Sequence, residues 1–169
     1  MRTLFRSAQA IVLALVISGL SATPAAANTL LAFEVLMNGA QQNPPVASPS
    51  TGVALVLLDK TTNNVCYRIS YTPLGGTELL AHFHGPAAPG QDAPVLVNIT
   101  PSPSPVGSPK HGCVLFAKDQ VKMLTKGLMY INVHTSIAPN GEIRGQVLPT
   151  KVKYTKVPAL ASPSGAFVD

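Results

Sequence analysis

Between residues 30 and 148 the apolar positions fall in short runs, mostly alternating with polar ones and separated by glycine, proline and asparagine. Alternation with a period of two predicts half-buried β-strands. Such runs cover 30–39 (LLAFEVLMNG), 53–59 (VALVLLD), 65–71 (VCYRISY), 78–84 (ELLAHFH), 93–99 (APVLVNI), 113–117 (CVLFA), 128–135 (LMYINVHT) and 141–148 (GEIRGQVL). The stretch QQNPPVASPSTG reads as a loop, because Pro44, Pro45 and Pro49 have no N–H to give a ladder. KTTNN and GPAAPGQD read as turns, 100–112 as a longer Pro/Ser loop, and Asn140-Gly141 as a turn dipeptide. The period changes once. In KDQVKMLTKG, Val121 and Leu124 stand at helical spacing, Asp119 can cap the start and Gly127 the end. About eight antiparallel strands with one short helix predict an all-β chain, a Greek-key-like β-sandwich.

Side chains alternate between the two faces of a strand. If Ala81 and Phe83 point inward, His82 and His84 share the other face. If Ile131 and Val133 point inward, Tyr130, Asn132 and His134 point the opposite way. With Ile143 and Val147 inward, Glu142, Arg144 and Gln146 face outward. Were these three strands neighbours, their polar faces would merge into one patch holding three of the four histidines, a carboxylate and an arginine.

The chemistry of that patch has two readings. His82 and His84 have β-carbons about 6–7 Å apart, and an adjacent strand lies about 5 Å away, so His134 can join them around a single ion. Three neutral imidazoles suit copper or zinc. Alternatively, the histidines hydrogen-bond to backbone or to Glu142 and hold no ion. Arg144 either pairs with Glu142 or Glu78, worth at most about 1 kcal/mol at a surface, or offers an anion site beside a bound ion, with Asn132 and Tyr130 close by. His111, in SPKHGC, reads as a surface loop residue rather than a ligand.

The ends of the chain look different. MRTLFRSAQAIVLALVISGLSATPAAA opens with Arg2 and Arg6, continues through an apolar run and closes on small residues, which predicts a signal peptide over 1–27. No second apolar span follows, so no transmembrane anchor is expected after cleavage, and the protein is expected to be secreted or periplasmic. Residues 149–169 are basic, then rich in Pro, Ser and Ala. They predict a largely disordered tail, with an edge strand near 152–154. Residues 28–148 form the expected domain. Losing 1–27 leaves ten basic against seven acidic residues, and three of those lysines lie in the tail. A nucleic-acid binder would show a basic face with stacking aromatics, and none is visible. Two cysteines remain, Cys66 and Cys113. In an exported chain an even pair suggests a disulfide, worth about 4 kcal/mol in the chain-entropy model. The alternative is two buried thiols.

LMNGAQQNPPVASPSTGVALVLLD, AHFHGPAAPGQDAPVLVNI and LMYINVHTSIAPNGEIRGQV resemble, in sequence and order, the CHRD domain, a module of chordin and of many exported bacterial proteins. The resemblance runs from about Leu31 to Leu148. It implies an all-β, exported, generally non-catalytic module. The family's recurring histidines fall on His82, His84 and His134 and its recurring arginine on Arg144, while Cys66 and Cys113 resemble a paired position. A weaker analogy links the His-x-His strand, the later histidine and the arginine to copper/zinc superoxide dismutase, also a β-sandwich. Its two metals need about six histidines and an aspartate, which four histidines cannot supply.

No Gly-x-Ser-x-Gly elbow, Walker loop or HExxH helix is present, and the carboxylates are scattered. The expected function is therefore a non-enzymatic binding module for a protein or cell-surface polymer, with a metal site on one sheet face. The alternative is a periplasmic copper or zinc protein using His82, His84 and His134.

Overall fold

The strands form where alternation gives each one an apolar face to bury. The computed structural model describes residues 30–99 and 107–154, with side chains to Thr150. In chain order these are β1 (Leu30–Asn38), β2 (Thr51–Asp59), β3 (Asn64–Tyr71), β4 (Glu78–His84), β5 (Val95–Asn98), β6 (Lys110–Leu115), α1 (Lys118–Thr125), β7 (Met129–Thr135) and β8 (Ile143–Tyr154). The expected all-β architecture, with eight antiparallel strands and one helix, is present. The predicted signal peptide and the tail beyond Tyr154 lie outside the described residues.

All eight strands belong to one ladder in the order β5-β4-β7-β8-β1-β2-β3-β6. The sheet curls until β3 packs against β4. The Tyr67 and Phe83 rings meet edge-on at 5.7 Å, Phe83 meets Phe116 at 6.0 Å, and the Tyr67 hydroxyl donates to Ile99 O at 3.3 Å. The two layers of the sandwich are thus halves of a single sheet. Between them Phe33, Val56, Ile69, Phe83, Ile131 and Val147 are almost wholly buried. Each such side chain contributes about 1.5–3 kcal/mol by leaving water.

Several boundaries differ from the alternation pattern. β6 begins at Lys110, inside the stretch expected to be loop, because Lys110 and His111 pair with Ile69 and Arg68 along the edge of β3. β8 continues past 148 to Tyr154. The edge strand expected near 152–154 is the end of β8 itself, where Lys153 and Tyr154 pair with Leu31 and Leu30 of β1 and the β7 pairing has already stopped at Val147. Pro149 is tolerated there because the β1–β8 register shifts beside it, between Leu31 and Phe33, and the Thr150 hydroxyl donates to Ala32 O at 2.7 Å. Asp119 does not cap α1. The Ala117 N–H is bonded instead by Gln120 Oε1 at 2.8 Å, and Asp119 Oδ1 accepts from Gln120 N. The helix ends as expected: Gly127 takes φ +69°, letting Leu128 N reach back to Met123 O at 2.9 Å.

Cys66 and Cys113 are direct partners across β3 and β6 and form a disulfide over a separation of 47 residues. It ties edge strand β6 to the sheet.

Candidate metal centre

β4, β7 and β8 are consecutive in the sheet, so their outward faces share one surface. Ala81, Phe83, Ile131, Val133, Ile143 and Val147 are fully buried on the inner side. His82 is opposite Asn132, which is opposite Arg144, and His84 is opposite Tyr130. His134 lies opposite Leu80, one step along β7 on the same face. This face is not open to solvent. His82 is 8% and His84 7% exposed, because the segments 85–94 and 136–141 cross it and bond to it.

The three rings cluster. Centroids are 5.5 Å apart for His82 and His84, 5.0 Å for His82 and His134, and 5.8 Å for His84 and His134. One nitrogen from each lies within 4.8 Å of the others. Two tautomers are fixed by the backbone. His84 Nδ1 donates to Ala93 O at 3.0 Å, and His134 Nδ1 donates to Pro139 O at 2.9 Å. Both rings therefore present Nε2 as a lone pair. His84 Nε2 is buried and has no hydrogen-bond partner. His82 Nδ1 donates to His134 Nε2 at 3.2 Å. An ion at about 2.0–2.1 Å from both would subtend an angle of about 100°, close to tetrahedral.

All three rings are held neutral. Burial pushes the His82 value down to about 4, with His134 and His84 adding to the effect. Burial also lowers His84 and His134, against the opposing hydrogen bonds to Ala93 O and Pro139 O. Neutral imidazole is the metal-binding form.

A stack backs the cluster. The Tyr130 ring lies parallel to His84 at 4.8 Å, and the Arg144 guanidinium carbon sits 3.5 Å from the Tyr130 ring centre. The Tyr130 hydroxyl accepts from Ala93 N at 3.2 Å and lies 3.3 Å from Ala93 O, which also receives the His84 bond. Arg144 Nη1 donates to Asp92 Oδ1 at 3.0 Å and Nη2 to Gln91 O at 2.6 Å. Asn132 is held between loops, accepting from Gln42 Nε2 at 2.6 Å and donating to Asn140 O at 3.1 Å. A β-carbon on Gly141 would come within 2.3 Å of Asn132 Oδ1, so only glycine fits that turn.

The expected arrangement needs correction at two residues. Glu142 does not join the histidines. Its carboxylate accepts from Ser48 Oγ (2.8 Å), Ser50 Oγ (3.0 Å), Gly75 N (2.8 Å) and Thr135 Oγ1 (2.8 Å). The reason is local: Glu142 precedes β8, after a Gly141 at φ +125°, so strand alternation does not extend to it. Burial alone would raise its pKa, but these hydrogen bonds outweigh it and hold the carboxyl below its usual value. Arg144 pairs with neither Glu142 nor Glu78. Glu78 is instead bonded to Lys110 Nζ at 2.6 Å, to Gly107 N at 2.6 Å and to the Tyr71 hydroxyl. Burial and that carboxylate push the Tyr71 pKa up. Arg144, 2% exposed, has Asp92 and Gln91 O as acceptors and the face of Tyr130 beneath it, rather than presenting an open anion site. His111 is exposed on β6 and is no part of the cluster. Sequence reasoning missed Asp92, Ala93 and Pro139. Two of these act through backbone carbonyls, which carry no side-chain signal. Among the described residues, no helix is long and apolar enough to cross a membrane.

The CHRD domain family profile matches residues 33–147, which take in β2 to β7 whole, most of β1, the start of β8 and all three histidines. No curated protein and no solved structure matches the chain.

Proposed function

The chain belongs to the CHRD domain family, and from that we propose that it is an exported, non-enzymatic binding module carrying one copper or zinc ion on His82 Nδ1, His84 Nε2 and His134 Nε2. The family supports a binding and interaction role. The metal assignment goes further and is carried by one observation: three imidazole nitrogens lie within 4.8 Å of one another, and one of them is buried without a partner. An unpaired buried polar atom costs about 1–3 kcal/mol, and an ion would satisfy it. The hydrogen bonds from His84 and His134 Nδ1 to backbone do not compete with an ion, because they orient the opposite nitrogens. The bond from His82 Nδ1 to His134 Nε2 would be replaced by the ion, with the His82 proton moving to Nε2. When bound, the ion would supply a Lewis-acidic centre fixed to two strands and, through Ala93 and Pro139, to two loops. Partners would be a protein or a cell-surface polymer reaching that loop-covered face. Export is supported by the N-terminal leader pattern and by the Cys66–Cys113 disulfide, which fits an oxidising compartment.

Calorimetry with copper and with zinc tests the site. Wild type should bind one ion, and the His82→Ala/His84→Ala variant should not. Equal, weak uptake by both would end the metal reading and leave the interaction module alone. Elemental analysis of protein purified from its own compartment would then identify the native ion.

A further inference from the structure

Resting on that three-histidine reading, we propose that the ion this site selects is monovalent copper, Cu(I), over Cu(II) and Zn(II). Imidazole by itself does not decide this, since it suits both copper and zinc. Charge and coordination number do. The cluster offers three neutral donors and no carboxylate. The buried carboxylates are committed elsewhere, Glu142 to four hydrogen bonds and Glu78 to Lys110, Tyr71 and Gly107. Asp92 is drawn to Arg144. The fixed charge nearest along the stack is the Arg144 cation, reaching His84 through the face of Tyr130. A divalent ion would place two positive charges in a buried site with no anionic ligand, backed by a buried cation whose partner carboxylate, Asp92, is 60% exposed and offsets it only in part. The cost of burying charge rises steeply with its magnitude, so a single charge is favoured. Zn(II) would also need a fourth ligand, and Cu(II) a tetragonal set of four or more. Three nitrogens suffice for trigonal Cu(I), a closed-shell ion with no ligand-field demand. The near-complete burial of His82 and His84 restricts the waters that would complete a divalent shell.

The test is a set of competition titrations on the folded, disulfide-intact protein. Cu(I) is supplied anaerobically against a chromophoric Cu(I) chelator, and Cu(II) and Zn(II) are measured by calorimetry. Thiol titration confirms that Cys66 and Cys113 stay oxidised and do not bind Cu(I) themselves. The expected result is one Cu(I) per chain, at least about tenfold tighter than either divalent ion, lost in His82→Ala/His84→Ala. Asp92→Asn, at an exposed position, removes the anion beside Arg144 and should widen the Cu(I)/Cu(II) affinity ratio severalfold. Zn(II) or Cu(II) binding as tightly as Cu(I) overturns the selectivity while the three-histidine site stands. An Asp92→Asn ratio that is unchanged or narrower overturns the charge argument behind it. Binding of every ion equally by wild type and the double-histidine variant removes the site and the selectivity together.

Discussion

The Glu142 hub and the histidine cluster are both buried polar groups on the β7–β8 side of the sandwich, but their atoms are paired very differently. Both Glu142 oxygens accept hydrogen bonds, and the four donors come from three separate parts of the chain: the segment before β2, the segment before β4, and β7. Nothing there awaits a ligand. At the histidines all three Nδ1 atoms have partners, that of His82 being His134 Nε2, yet His84 Nε2 is buried and unpaired. Polar groups paired by the chain itself stabilise a fold, whereas a buried lone pair left over marks a place the fold alone does not explain. Cavity size would have misled. An opening of about 400 Å³ lies by Tyr71, Leu74 and Glu78, where Glu78 is already bonded to Lys110, Gly107 and Tyr71.

The largest expected effect comes from emptying the satisfied cluster. Glu142→Ala leaves the Ser48 and Thr135 hydroxyls and the Gly75 N–H facing a void, while Ser50 keeps Pro73 O, and should cost about 3 kcal/mol in urea unfolding. Glu142→Gln keeps an acceptor for Ser48, Ser50 and Gly75 and can donate to the Thr135 hydroxyl, so its cost should be about 1 kcal/mol. Neither change should alter metal binding. A large loss of ion affinity in Glu142→Gln would show that the two clusters are not separate.

The histidine cluster should respond to an ion instead. At a free concentration of one hundred times Kd, bound copper or zinc should add about 2.7 kcal/mol to stability. The His82→Ala/His84→Ala variant should gain nothing. Stabilisation that survives in that variant would place the ion elsewhere.

Acid should separate the clusters by pH. The folded-state values of the three histidines lie below 6.5, that of His82 at about 4. As pH falls from about 6.5 to about 4, the unfolded chain takes up protons that the fold refuses, so the metal-free protein loses stability across that window. His82 contributes to that loss together with the two rings it faces. Glu142 is held below 4.5, so its contribution is complete above that value and is lost as pH falls further. Unfolding midpoints at pH 7.5, 5 and 3.5 should therefore drop in two stages. Replacing His82 should flatten only the first. A first stage unchanged by that replacement would show that His82 is not held neutral by its surroundings.

How much of this was legible follows from the same contrast. Strand alternation put Ala81, Phe83, Ile131 and Val133 inside and the three histidines together on the other face. It failed at Glu142 because the residue sits outside the ladder, after a turn with positive φ. It was also silent on burial. The side chains face away from the core, but the segments 85–94 and 136–141 fold back over them, and the anchoring acceptors are the carbonyls of Ala93 and Pro139. Asp92 lies 52 residues from Arg144 in the chain, and no local pattern links the two.

The smallest expected effect tests whether the stack behind the histidines belongs to the site or to the scaffold. The Tyr130 hydroxyl bonds Ala93 at its N–H and lies close to its carbonyl, the same carbonyl that orients His84. Tyr130→Phe removes the hydroxyl and keeps the ring against His84 and Arg144. The loop loses one anchor, which should cost about 1 kcal/mol. The His84 bond to Ala93 O remains, so ion affinity should fall by no more than about tenfold, at the low end for a group that orients a ligand indirectly. A fall in affinity with no change in stability would make the hydroxyl a positioning group for His84. A change in stability alone would assign it, with Glu142, to the interactions that hold the fold together.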